Sequence, residues 1–129
     1  KRQVIGDAIA LISRHLEITK IVAITISGFA ASVVSAAMPR QPVLAVSNDK
    51  ESARSFNLLR GTKGIHVDVP FSRTALAHIP QSLKELWNRG ELLDDDLILV
   101  TAVGYPRSGN RMNMIETHKV SDLRENLKW

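Results

Sequence analysis

KIVAITISGFAASVVSAAMP, Lys20 to Pro39, decides how the chain is read. An apolar run, Lys20 to Thr25, is too short for a helix and rich in β-branched residues, so it predicts a buried strand. Ser27-Gly28 breaks the run. The small-residue stretch Ala30 to Met38 then predicts a helix that stops at Pro39, because proline cannot continue it. Strand, tight turn and helix within twenty residues form half of a βαβ unit.

The same alternation extends in both directions. Upstream, Val4, Ile5, Ala8, Ile9, Leu11, Ile12 and Leu16 recur at helical spacing, with Arg2, Asp7 and Arg14 on the other side. Downstream, Pro42 to Ser47 predicts a second buried strand. Asn48 or Asp49 caps a third helix, Lys50 to Leu59, which Gly61 ends. Ile65 to Val69 alternates apolar and polar as a half-exposed strand. A fourth helix, capped by Ser72, runs to about Asn88 with a kink or break at Pro80. Asp96 to Val103 is the most continuous apolar strand, and a loop over 104–111 leads to a last extended run, Asn113 to Val120. Residues 121–129 read as a polar tail with one or two helical turns.

Helices of this length between strands require right-handed crossovers and a mainly parallel sheet covered on both faces. The last two strands are joined by a loop too short for a crossover, so that pair is antiparallel. The expectation is an α/β fold: a three-layer α/β/α sandwich around a five-stranded sheet, residues 1–129 forming one domain. The chain opens on Lys1 directly into a helix, and it reads as a piece of a longer chain.

Composition excludes several classes. With no cysteine there is neither a disulfide frame nor a thiolate metal site, which fits a cytoplasmic location. The longest apolar runs fall short of a membrane span. The net charge of +4 is spread evenly, nine basic residues in Lys1–Lys63 and eight in Arg73–Lys128, and only six aromatics are available. A nucleic-acid groove shows clustered charge with interleaved aromatics, so no nucleic-acid partner is expected.

In open α/β sheets ligands bind beyond the carboxyl ends of the strands. That rule selects the turn at Thr25, Ser27 and Gly28, which opens a helix, and the loop carrying Arg107, Ser108, Gly109 and Arg111. Free N–H groups at a helix start, hydroxyls and two guanidinium forks make an anion site. The other reading stands beside it: Ser27 caps a helix and Gly28 relieves crowding. The triplet Asp94-Asp95-Asp96 precedes a strand, at the wrong end of the sheet, and reads as a solvated turn rather than a metal site. His15, His66, His78 and His118 show no ligand spacing and read as surface or partly buried side chains. Thr25 stands where a nucleophile elbow has its first glycine, and neither GxxxxGK[ST] nor GxGxxG occurs. No catalytic or metal-binding residue is assigned.

Read in order, these segments resemble the carboxyl-terminal domain of pyruvate kinase. "AITISGFAA" is similar to the family's "(V/L)xTxSGx(T/S)A" at Thr25, Ser27, Gly28 and Ala31. "MPRQPVLAVSND" keeps Pro39, Pro42, Ala45, Val46 and Asn48 in step with "RPxAPIxAVTxN". "SARSFNLLRG" resembles "xARQLxLYRG" at Ala53, Arg54, Leu58, Arg60 and Gly61. "NRGELLDDDLILVTAVG" shares Gly90, Asp96 and Gly104 with the family, and Asn113 and Ile115 fit its "NTIRV" strand. The resemblance implies a regulatory and oligomerisation domain that binds a phosphorylated effector at the two loops and pairs with a second copy. It also implies that catalysis, with Mg and K, lies in a separate barrel domain, so this domain needs no cofactor of its own. Ala30 and Phe29 depart from the hydroxyl and the polar or basic residue usual in that turn. The alternative is a free-standing small-ligand binding module of the same fold.

Overall fold

The computed structural model describes residues 2–25, 29–71, 77–103 and 112–129. Helix α1 (Arg2–His15) leads to β1 (Lys20–Ile24), α2 (Phe29–Ala36), β2 (Val43–Ser47) and α3 (Lys50–Ser55), which tightens into a 3-10 turn (Phe56–Leu58). Then come β3 (Thr62–His66), α4 (His78–Asn88), β4 (Leu97–Val103), β5 (Met112–Lys119) and α5 (Val120–Leu127). The strands form one sheet in the order β3-β2-β1-β4-β5. All neighbours are parallel except β4 and β5. The fold expected from the sequence is the one observed.

Side-chain alternation along the strands divides the core into two layers. Val22, Ile24, Leu44, Val46, Ile98, Val100 and Ala102 meet Ile79, Leu83 and Leu86 of α4 and Val120 and Leu123 of α5. On the opposite face Ile21, Ala23, Val43 and Leu99 meet Ile9 of α1 and Val33 and Val34 of α2. Ala45 there packs with Ala31 and Phe56. β2 is buried along its whole length and β1 from Ile21 to Ile24. That is why they read as unbroken apolar runs.

Several boundaries differ from the sequence reading, each for a physical reason. β3 lies at Thr62–His66 rather than Ile65–Val69. The burial alternation does continue through Val67 and Val69, but only Val67 N–H, donating to Ser47 O at 3.0 Å, extends the pairing. The ladder starts earlier because α3 crosses over Gly64. A Cβ there would stand 1.7 Å from Ala53 O, so only glycine admits the helix. Asp49 is the cap of α3, accepting from Ser52 N at 3.0 Å. Pro80 causes no kink: it sits in the first turn of α4, where its missing N–H has no partner to lose. The expected cap at Ser72 lies outside the described residues. The segment 121–129 is helical as far as Leu127 and docked, with Leu123 buried and Trp129 packed against the α4 face.

Candidate functional site: the crevice between β1 and β4

Connections fix where the sheet opens. The helices that follow β1 and β2 lie on the same face as α1, whereas α4, which joins β3 to β4, lies on the other. Chain direction across the sheet therefore reverses between β1 and β4. These two strands are paired in parallel with Ile24 opposite Ala102, so they deliver residues 25 and 103 side by side. A crevice outside the carboxyl ends at such a switch point is where open α/β sheets hold ligands.

Thr25 is the one predicted site residue among those described. It is 1% exposed, and its N–H donates to Val46 O at 2.8 Å. Ser27, Gly28, Arg107, Ser108, Gly109 and Arg111 lie outside the described residues. What the structure brings together is thus the pair of strand ends from which both candidate segments depart.

Two buried hydroxyls near this edge escaped the sequence reading. Ser47 is fully buried, with Oγ accepting from Asp49 N at 3.0 Å. Thr101 Oγ1 donates to Met114 O at 3.0 Å. Thr25, Ser47 and Thr101 have odd positions in their strands, on the face covered by α1, α2 and α3. The register Ile24 to Val46 sets Thr25 level with Ser47. The available signal was a lone hydroxyl near the carboxyl end of an otherwise apolar strand.

Two described charged groups near this edge are committed to capping or to backbone, Asp49 and Arg89. The Asp49 carboxyl lies below its usual range because Ser52 donates to it from both hydroxyl and N–H. Arg89 Nη1 donates to His66 O at 2.6 Å. The histidines sit on four separate elements. His118 meets Glu116 at 2.8 Å on β5, and His78 is buried and stacked on Phe71 with ring centroids 4.6 Å apart. Burial holds its imidazole below the ordinary pKa. Among the described residues no three His, Asp or Glu side chains converge.

The amino edge of the sheet is built differently. Asp96 is not in a solvated turn: it is 5% exposed. Its carboxylate accepts from Lys20 Nζ at 2.7 Å, Thr19 Oγ1 at 2.7 Å and Leu93 N at 2.7 Å. Burial alone would push this carboxyl up; the three donors outweigh it, and its pKa falls below the ordinary aspartate value. Asp94 pairs with Arg124 at 2.7 Å. A cleft of about 620 Å³ opens at this edge, lined in part by Pro42, Leu58, Leu59, Arg60 and Lys63. Two of its cations are tied internally, Lys20 to Asp96 and Lys63 to Glu91. No described helix is long and apolar enough to cross a membrane.

A model of the pyruvate kinase alpha/beta domain family matches residues 3–118. Pyruvate kinases of Staphylococcus aureus, strains bovine RF122 / ET3-1 and MRSA252, are each 28% identical to this chain over 118 residues. Those alignments cover 92% of this chain and 20% of each relative. The chain therefore spans about a fifth of the length of the curated relatives it matches.

Proposed function

The chain belongs to the pyruvate kinase alpha/beta domain family, and from that premise we propose that it is a regulatory and assembly domain of a cytoplasmic pyruvate kinase. In this reading a phosphorylated small molecule binds in the crevice between β1 and β4. The transfer of phosphate from phosphoenolpyruvate to ADP, with its Mg and K, belongs to a barrel domain elsewhere in the parent enzyme. The observation that carries the reading is topological: the two segments richest in anion-binding groups leave the sheet from adjacent strands at its switch point.

The chemistry fits a phosphate. Hydroxyls at Thr25 and Ser27 and N–H groups at a helix start supply fixed donors. Arg107 and Arg111 supply charge-assisted forks. No general base is needed, because binding alone is the task. The second half of the reading is self-association, which exposed leucines in and just after the first helix support: Leu11 is 53% and Leu16 47% exposed.

Titration calorimetry of the purified domain with inorganic phosphate and with sugar phosphates tests the binding site. Weak, salt-sensitive binding is expected, with Gly28→Val removing it by blocking backbone approach. Absence of binding by every phosphate-bearing ligand at millimolar concentration would reduce the turn to a helix start. Sedimentation at micromolar concentration tests association, and monomer throughout would overturn that half alone.

A further inference from the structure

Helix α1 turns only one side to the core. Ile9 and Ser13 are buried, whereas Asp7, Leu11 and Arg14 are exposed. Their spacing, i, i+4 and i+7, lines the three up along one outward stripe of the helix. A single exposed leucine needs no explanation. This one stands between an acid one turn before it and a base one turn after it. Arg14 pairs with no carboxylate among the described residues.

Beside the stripe, α1 and α2 leave a groove of about 430 Å³ whose lining includes Gly6, Ala10, Ser32, Ala36 and Ala37. Ser32 and Ala36 are exposed, and Gly6, Ala10 and Ala37 are half-buried. These side chains are all small, so a larger side chain from outside can reach the groove floor. The groove and the stripe are neighbours on one helix: Ala10 lines the first and Leu11 stands in the second. The same face thus offers an apolar knob, a place to receive one, and two opposite charges set symmetrically about them.

We infer that α1 packs against α1 of a second copy of this chain, antiparallel about a two-fold axis level with Ala10 and Leu11. This names the contact surface of the self-association proposed above and rests on that reading. A two-fold contact is self-complementary, each residue meeting its reciprocal partner. With the axis between Ala10 and Leu11, Asp7 of each copy faces the partner's Arg14. Each Leu11 faces the partner's Ala10 and the groove behind it. Two opposite-charge pairs then flank two covered leucines, a polar rim around an apolar centre. The parallel arrangement would set Asp7 against Asp7 and Arg14 against Arg14, and like charges in contact oppose association. A carboxylate accepts several donors, so Asp7 keeps its interaction within the chain while meeting the partner's Arg14.

The test is sedimentation equilibrium of the 129-residue chain at micromolar concentration. Wild type is compared with Asp7→Arg, Arg14→Asp, an equimolar mixture of those two, and Leu11→Ala. The three positions are exposed, so all variants should keep the wild-type circular dichroism spectrum. Wild type should dimerise, less strongly as salt is added. Each charge variant alone sets like charges at both contacts and should raise the dissociation constant by about tenfold or more. Mixed, the two restore opposite charges at both contacts and should form a heterodimer near wild-type strength. Leu11→Ala should weaken the dimer by about tenfold, the scale of a leading interface side chain. A wild-type dimer that every single variant leaves unchanged would place the contact elsewhere, so this inference would fall while self-association stood. Charge variants that dissociate without recovering in the mixture would overturn the antiparallel pairing. A wild-type monomer, the result expected if another domain of a parent enzyme covers this face, would overturn both self-association and the pairing.

Discussion

The amino and carboxyl edges of the sheet both carry polar groups, and the two sets differ in kind. At the amino edge Lys20, Thr19, Asp96 and the Leu93 N–H form a closed set in which each partner satisfies another. At the carboxyl edge between β1 and β4, the chain sends out a turn and a loop rich in donors, with no carboxylate in either segment. A self-satisfied network stabilises and does not recruit a ligand, whereas donors in excess of acceptors call for an anion. Under the proposed function, the difference assigns stability to one edge and recognition to the other. It can be broken from either side.

The largest effect is expected at the amino edge. Lys20→Met leaves Asp96 buried with its charge uncompensated, and removing one partner of such a pair costs about 3 kcal/mol. Urea unfolding should show a lower midpoint at unchanged slope. Adding Asp96→Leu should recover most of the loss, since an apolar pair of similar volume is often neutral. Lys63→Ala, removing a pair whose lysine is 61% exposed, should cost no more than about 0.5 kcal/mol. Phosphate affinity should not move in any of the three. A parallel loss of affinity would show that the two edges are not independent.

The same network sets the acid limb of stability. The folded pKa of Asp96 lies below its unfolded value, so the unfolded chain binds the extra proton first as pH falls. The stabilisation is therefore complete above the ordinary aspartate pKa, about 4, and is lost as pH drops through the folded value. Asp96→Asn should flatten the stability profile below pH about 4. An unchanged acid limb would mean that other carboxyls govern it.

At the carboxyl edge the expected effects are on binding. Arg107→Ala with Arg111→Ala should weaken phosphate by about tenfold or more, since a hydrogen bond to a charged group is worth about 1.5–3 kcal/mol. Stability should stay within about 0.5 kcal/mol, the usual range for substitutions away from core and caps. A large loss of stability would place these arginines in the structural class with Lys20.

The same contrast explains what could be read from sequence. Five strands and the antiparallel last pair follow from apolar runs and loop lengths, because burial on both faces writes a continuous signal in Ile21–Ile24 and Ile98–Ala102, whereas the order of the strands in the sheet came from the structure. The start of β3 did not follow, because it depends on where α3 meets Gly64, a contact between elements. Asp96 was misread for the same reason. Three adjacent aspartates look solvated until Thr19 and Lys20, more than seventy residues away, are placed beside the third. The docking of α5 was hidden by its composition: Val120, Leu123 and Leu127 are the three apolar residues of a polar run, and burial of the first two needs the α4 face. Of the candidate site, the sequence shows the residue types, and the fold supplies the adjacency of β1 and β4. The hydroxyls of Ser47 and Thr101 needed the register to become neighbours of that edge.

The smallest expected effect is also the one most specific to the turn. The family pattern that this turn resembles has a hydroxyl where this chain has Ala30, so Ala30→Thr adds one donor to the helix start. A neutral hydrogen bond contributes about 0.5–1.5 kcal/mol, and more when it meets a charged acceptor. The expected gain is therefore about twofold to tenfold in phosphate affinity. The substitution places a β-branched residue near the start of a helix, where the loss of side-chain freedom costs well under about 1 kcal/mol, so thermal stability should change little. Ala30→Val is the control, with the same branching and no donor, and it should gain nothing. If threonine and valine bind phosphate equally, the turn takes no part in recognition, and the carboxyl edge loses the property that sets it apart from the amino edge.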